Sequence, residues 1–414
     1  MIIPSIDLQQ GRAVQLRRGA ELLLTDPRDP EELAVEFNRY GPVAVIDLDA
    51  ALGRGENREL IRRLCGLAEC RVGGGIRSEE DVRYWIRAGA SKVMLGTMAQ
   101  PEFLSRFPRE WIVACLDARG DDVVVEGWTK RSGGKVIERA RALEDYSSEF
   151  LFTQVQVEGT LGGSDLQSAS RLREAVSVPV TVAGGIHSIE ELRQLEELGC
   201  NSQIGRVLYE GKIELADAWT GLLRFDERGL LPIVVQDVDS REVLMLAYGN
   251  PESLQQALRT GQGWYYSRSR DELWRKGGTS GNTQELVRAR WDCDRDTIVF
   301  EVRQTGPACH RLTRSCFGQN PLPPLTELER TLASRKDADP ASSYTARLMN
   351  DVELLSAKLR EETEEVIEAN GGDHLVWECA DLIYHLMVRM QVSNVSLADV
   401  ENELRSRARR ESNR

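Results

Sequence analysis

GGIRSEEDVRYWIRAGASKVMLGT, residues 74–97, and GGIHSIEELRQLEELGCNSQIGRV, residues 184–207, are two versions of one segment at an offset of 110 residues. Each opens on a glycine pair, runs through a charged stretch of helical period and closes on a strand-like run bearing another glycine. The same 110-residue offset relates Asp7 to Asp117, each in a strand-end Ile-Asp or Leu-Asp pair. Two coincident offsets imply two half-domains related by an approximate twofold. From residue 1 to about 222, apolar β-rich runs (MIIPSIDL, AVIDLDA, KVMLGT, WIVACLD, FLFTQVQV, PVTVAGG) alternate with helical segments. At this length the alternation predicts a closed (β/α)8 barrel in preference to a doubly wound sheet.

The repeat also points to a ligand. Gly74 and Gly75 with Gly96 and Thr97, and Gly184 and Gly185 with Gly205 and Arg206, place backbone N–H groups at matched strand ends, where an anion can sit near a helix N-terminus. One such glycine is as well explained by a tight turn. Glycines at four matched turns suit a molecule with a phosphate at each end.

The 414 residues carry 66 Asp and Glu against 53 Lys and Arg, a net charge of -13, which argues against a general binder of nucleic acid or anionic membrane. No long apolar run suggests a leader or a membrane span. Cysteines at 65, 70, 115, 200, 293, 309, 316 and 379 are too sparse for a secreted disulfide scaffold and imply reduced thiols in a cytoplasm.

After RFDERG, residues 224–229, the texture becomes β-rich with Arg and Trp until about Gly318; the proline-rich QNPLPPLTE then leads into a helical segment that reaches Arg414. The expected domains are 1–222, a barrel; 229–318, a β-rich α+β metal-binding domain; and 325–414, all α. In WDCDRDT, residues 291–297, a strand would line Asp292, Asp294 and Asp296 on one face and turn Cys293 to the other, separating hard oxygen ligands for magnesium from a soft sulfur. Cys293, Cys309 and Cys316 supply three thiolates for zinc and leave a position for water, with His310 as fourth ligand or proton carrier. Upstream, YYSRSRDELWRKGGTSGN groups Arg268, Arg270, Arg275, Lys276 and Ser280 in a manner suited to a phosphate and sugar.

Residues from about 229 to 318, through QDVDSREVLMLAY, YYSRSRDELWRKGGTSGN, DCDRDT and GPACH...SCF, resemble phosphoribosyl-AMP cyclohydrolase. The resemblance implies magnesium on the three aspartates, zinc on the three cysteines shared across a homodimer, and hydrolytic opening of an adenine ring. The family's His-Thr-Gly is here His310-Arg311-Leu312.

In the C-terminal segment, LREETEEVIEAN brings Glu361, Glu362 and Glu365 to one side of a helix, and VWECADLIYHLMV does the same for Glu378 and Asp381. Two such helices would hold magnesium for a triphosphate. Asp381 lies in an otherwise apolar run, where a buried carboxylate needs a partner or a metal. The EExxE and ExxD pattern, with ECADLIYH, resembles phosphoribosyl-ATP pyrophosphatase over about 325 to 412.

The first segment, with PSIDLQQGRAVQL, VIDLDAA, GGGIRS, VMLGT, LDARGDDVVVEGWT, AGGIHS and GRVLYEGK, resembles phosphoribosylformimino-aminoimidazole carboxamide ribotide isomerase. That family performs an Amadori rearrangement, which the resemblance assigns to Asp7 as proton acceptor and Asp117 as proton donor. Two departures stand out: Glu158 replaces the aspartate of Asp-Gly-Thr, and Gln154 replaces the acid beside Thr153. The loop after Arg18 is also short for the family.

The three resemblances fall on consecutive steps of histidine biosynthesis, acting on phosphoribosylated nucleotides. Two alternatives accompany this reading. In one the barrel binds phosphates without catalysis, leaving a bifunctional cyclohydrolase and pyrophosphatase; in the other the helical domain is a general nucleotide pyrophosphatase.

Overall fold

Eight parallel strands close on themselves in the computed structural model, which describes residues 1–17, 21–125, 130–318, 324–401 and 403–404. The strands are β1 (Ile2–Gln9), β2 (Val43–Asp47), β3 (Cys70–Gly73), β4 (Lys92–Leu95), β5 (Ile112–Arg119), β6 (Glu149–Gln154), β7 (Val180–Ala183) and β8 (Cys200–Ile204). Each pairs with the next, and β8 pairs back onto β1, with Ile2 opposite Ser202. The GWT motif at 127–129, the loop from Arg18 and the last residues of the helical segment lie outside the described residues.

The expected duplication is present in detail. β1 and β5 are each followed by an antiparallel hairpin, Arg12–Arg17 with Glu21–Thr25 and Asp122–Val125 with Lys130–Lys135, and Arg12 and Asp122, which open them, stand at the same offset. Ser78 and Ser188 cap the corresponding helices Glu79–Arg87 and Ile189–Glu197 by accepting the N–H groups of Asp81 and Glu191.

Alternation decides what faces the barrel axis. Ile3, Ala44, Met94, Val113, Leu151 and Ala183 form a small internal cluster, while Ile2, Ile6, Leu8, Ile112, Ala114 and Leu116 pack outward against the helices. Below the internal cluster, Glu149 at the start of β6 is buried with Arg71 at 2.6 Å and Lys92 at 3.0 Å. Burial opposes its charge, but those two cations hold its carboxyl below the ordinary range.

A second, six-stranded sheet is built from β9 (Leu231–Asp237), β10 (Val243–Gly249), β11 (Trp264–Ser267), β12 (Glu272–Arg275), β13 (Gln284–Trp291) and β14 (Ile298–Gln304). Its order is β12-β11-β10-β9-β14-β13, antiparallel except for the parallel β9–β14 pair. Barrel and sheet share one compact unit, residues 1–238 and 243–312; residues 239–242 and 313–414 form a second. The sheet docks at the ends of barrel helices that precede the strands. Arg288 bonds Glu69 and Asn38, Ala289 N–H donates to the Arg39 carbonyl at 2.8 Å, and Trp291 lies against Trp219.

The second unit is helical: Pro324–Ser334, Tyr344–Asn350, Val352–Glu368 and Gly372–Val392, around Leu332, Leu348, Leu355, Met387 and Val388. Among the described residues no helix is long and apolar enough to cross a membrane.

Glu149→Gln should strand Arg71 in the barrel floor and destabilise the first unit by roughly 3 kcal/mol, measured by urea unfolding at neutral pH. Because the Glu149 carboxyl is held low, the difference from the unmodified protein should shrink as pH falls below the ordinary glutamate range.

Candidate functional site

Inward alternation on β1 places Ile3, Ser5 and Asp7 in ascending order, and on β5 it places Val113, Cys115 and Asp117 likewise. The strand ends therefore raise two aspartates to the C-terminal mouth, where barrel sites lie. Loss of water pushes the Asp7 carboxyl up to about 7. Glu158 joins them from the loop after β6, and its carboxyl rises to about 7 through loss of water and then through the charges of Asp7 and Asp117. Its Oε2 is enclosed with no hydrogen-bond partner. Three carboxylates thus share one mouth, so a proton is retained among them near neutral pH.

The loop carrying Glu158 is pinned at several points. Gly163 N–H donates to the Gly185 carbonyl at 3.0 Å, Ser164 bonds Glu191, and the Arg206 guanidinium donates to the Gly159 carbonyl. Arg206 also pairs with Glu210. Its side chain is thus bound to the protein's own oxygens, while the expectation at this turn concerned the backbone N–H groups.

The glycine pairs meet a packing requirement at the same turns. Gly74 (φ +94°) would place a Cβ 2.3 Å from the Asp47 carbonyl oxygen, and Gly184 (φ +92°) would place one 2.7 Å from Glu158 Oε2. Gly75 and Gly185 also have positive φ, and Gly96 stands beside Asp117 with Thr97 exposed next to it. A side chain on Gly205 would approach Ser5 Oγ to 2.6 Å and Gln15 Oε1 to 3.0 Å.

Sequence reasoning passed over several residues here. Gln15 Nε2 is enclosed beside Gly205 without a hydrogen-bond partner. Asn57 precedes the helix Arg58–Leu67 yet makes no capping bond; its amide donates to Asp47 and Asp49, and its Oδ1 accepts Gly11 N–H at 2.8 Å. In the sequence it is indistinguishable from an ordinary N-cap asparagine, so no local signal would have found it. This buried network fixes the turn after Asp7.

In the second sheet, the strand expected over WDCDRDT is not formed. β13 stops at Trp291, and residues 292–297 make the turn to β14, with Arg295 at φ +67°. A run of three aspartates, an arginine, a threonine and one exposed cysteine has little to bury on either face of a strand. The aspartates still converge, since Asp292, Asp294 and Asp296 each offer an oxygen within 4.8 Å of the others. Asp294 and Asp296 line a cavity of ≈ 390 Å³ with Arg224, Phe225 and Asp226. Cys293 is exposed and Cys309 buried in the first unit, where Cys309 Sγ accepts Arg311 N–H at 3.5 Å and His310 Nδ1 stands at 4.0 Å. Cys316 is exposed in the second unit.

Arg268 and Arg270 line a separate cavity of ≈ 440 Å³ with Tyr248, Tyr266 and Trp274, and Arg268 lies 3.6 Å over the Tyr248 ring. Lys276 and Ser280 sit on the following turn and do not line it.

Of the five helical acids, three gather: Glu362 and Glu365 from one long helix and Glu378 from the next have oxygens within 4.8 Å. Loss of water, then the charges of Glu378 and Glu362, raise the Glu365 carboxyl. Glu361, a step further round the helix, pairs instead with Lys358 at 2.9 Å. Asp381 is not among the gathered oxygens, and its run is buried only towards the C-terminal end, at His385, Met387 and Val388. Val376 is 69% and Trp377 71% exposed, and Asp381 is half-buried. The small helical core leaves the Val376 end of the helix uncovered. His385, overlooked within the same motif, is buried 3.6 Å from Glu362, with Nε2 unpartnered.

Known proteins resemble the chain in three blocks. Residues 1–214 match the family described as histidine biosynthesis protein, residues 245–318 phosphoribosyl-AMP cyclohydrolase, and residues 325–408 phosphoribosyl-ATP pyrophosphohydrolase. The histidine biosynthesis bifunctional protein HisIE of Bacillus subtilis is 44% identical over 197 residues, which are 45% of this chain and 94% of that protein. The histidine biosynthesis trifunctional protein of Kluyveromyces lactis is 47% identical over 181 residues, 43% of this chain and 22% of the other; that of Neurospora crassa is 45% identical over 195 residues, 47% and 22% respectively.

Asp7→Asn should stabilise the first unit at pH 8 by ~2 kcal/mol and have little effect at pH 4. The folded-state carboxyl is raised, so its contribution is complete below the unfolded value and is lost as pH rises towards 7. Thermal unfolding across that pH range checks the sign.

Proposed function

Because the chain belongs to the histidine biosynthesis protein family and carries phosphoribosyl-AMP cyclohydrolase and phosphoribosyl-ATP pyrophosphohydrolase domains after it, we propose that it performs three consecutive steps of that pathway. The helical unit releases pyrophosphate from phosphoribosyl-ATP, the β-rich domain opens the adenine ring of phosphoribosyl-AMP, and the barrel isomerises the resulting aminoaldose. Chain order runs opposite to reaction order. The observation that carries this reading is the convergence of separate acid clusters, one in each matched block, on the residues singled out from the sequence: Asp7, Asp117 and Glu158; Asp292, Asp294 and Asp296; Glu362, Glu365 and Glu378.

The donor sets fit the implied metals. Oxygens crowded within 4.8 Å repel one another until a hard cation joins them, which suits magnesium at Asp292, Asp294 and Asp296 and at Glu362, Glu365 and Glu378, with Glu361 and Asp381 alongside. Cys293, Cys309 and Cys316 would hold zinc, and the Arg311 N–H bond to Cys309 is of the kind that supports a thiolate. When bound, zinc supplies a water of lowered pKa and magnesium offsets phosphate charge. Arg268 and Arg270, in their aromatic-walled cavity, bind phosphate and sugar, with Lys276 and Ser280 on the adjoining turn. His310 relays a proton beside the thiols. In the barrel, Asp7 accepts and Asp117 donates the protons of the Amadori step, and Glu158 holds the third acid position. The glycine turns at 74–75, 96–97, 184–185 and 205–206 receive the two phosphates through backbone N–H groups. A homodimer through the cyclohydrolase domain would complete the zinc site. All eight cysteines are free, which accords with a cytoplasmic setting.

One observation favours a second reading: Glu158 is longer than the aspartate of the isomerase pattern, and its carboxylate lies against Gly184. A barrel that binds phosphates without catalysis would follow, and Asp7→Asn would then leave flux unchanged.

Purified protein given phosphoribosyl-ATP with magnesium and zinc should yield the isomerised ketose, followed by mass and absorbance; accumulation of the aminoaldose would sink the third activity. Cys293→Ser should lower ring opening at least a hundredfold, a loss of ~3 kcal/mol in barrier terms, while pyrophosphate release persists.

A further inference from the structure

The turn 292–297 holds three aspartates and one cation, and the cation is used elsewhere. Arg295, in a left-handed backbone conformation, pairs with Glu196 at the end of the barrel helix Ile189–Glu197. The pair is mostly withdrawn from water, at 13% and 23% exposure, and Arg295 Nε is enclosed without a partner. The guanidinium reaches the barrel floor: the Met1 amino group, lowered to about 6 chiefly by loss of water, feels the charge of Arg295 next and then that of Arg71. Two further contacts fix the turn. Arg224 N–H donates to the Arg295 carbonyl at 2.9 Å, and Trp291 lies 4.7 Å from Trp219 between ring centres. Both partners belong to the last barrel helix or the segment just after it, and Arg224, Phe225 and Asp226 also wall the cavity of Asp294 and Asp296.

Three like charges gathered on an exposed turn tend to spread apart, and a neighbouring arginine would ordinarily settle among them and compete with a metal. Glu196 removes both difficulties, because it ties the turn down and occupies its one cation. We propose that Arg295 is a positioning residue, anchored by Glu196, which holds Asp292, Asp294 and Asp296 in the arrangement that accepts a divalent cation. The metal site of the second sheet is thereby made dependent on the floor of the barrel. This rests on the reading that the aspartates bind a divalent cation.

The test uses Mn2+ alone, titrated into the full chain carrying Glu362→Gln and Glu365→Gln to silence the helical acids, with bound ion read by electron paramagnetic resonance. Adding Asp294→Asn should abolish the remaining tight site; if it does not, the reading of the aspartates fails and the proposal with it. Adding Glu196→Gln instead should weaken Mn2+ about tenfold, and Glu196→Asp should restore most of the loss. If Asp294→Asn abolishes binding but Glu196→Gln leaves the affinity unchanged, the pair has no positioning role, and a lowered melting temperature without a change in affinity would assign it to stability alone.

Discussion

A closed ring of parallel strands turns every second side chain inward, and the rest of the first unit follows from that constraint. On β1 and β5 it stacks an apolar residue, a small polar or thiol residue and an aspartate in the same order, so the mouth is acidic because the layers below it are full. The floor answers to the same rule. Glu149, Arg71 and Lys92 begin their strands facing inward and are admissible only as a bonded group. One end of the barrel therefore holds the bonded cluster of Glu149, Arg71 and Lys92, while the other gathers the carboxylates of Asp7, Asp117 and Glu158.

That polarity explains how a second sheet can be attached without closing the first site. The barrel residues that receive it, Asn38, Arg39, Glu69 and Glu196, sit where helices end and strands begin. The hairpins and the Glu158 loop belong to the opposite end. The apolar core is continuous through the junction, with Trp219 and Trp291 in contact across it, so the two folds gain stability from a shared boundary while their candidate sites keep separate openings.

Much of this was legible in the sequence because it depends on local rules. The strand–helix alternation and the 110-residue repeat predicted the closure and the two related halves, both properties of short segments; the paired hairpins and serine caps are further signs of the repeat that the structure adds. The clustering of Asp292, Asp294 and Asp296 was also anticipated, though through a strand that does not form; close spacing in a polar run brings the acids together on a turn as well. What stayed hidden depends on partners distant in the chain. Nothing around Arg295 names Glu196, and nothing in GEN reveals that Asn57 serves Asp47, Asp49 and the turn after β1. The apolar run around Asp381 misled for a related reason, since hydropathy reports what a helix can bury and not whether this chain provides a cover.

The duplicated halves differ at one decisive place. Asp7 pairs in register with Ile46 and Asp117 with Thr153, but beyond these partners the halves diverge: the short helix Leu48–Leu52 follows β2, whereas the turn that carries Glu158 follows β6. A ligand with similar ends would meet two nearly equivalent seats, and twofold symmetry alone would let it lie in either direction. The carboxylate of Glu158, buried beside Asp7 and Asp117, belongs to one half alone and is a feature by which the two ends of such a ligand would be told apart.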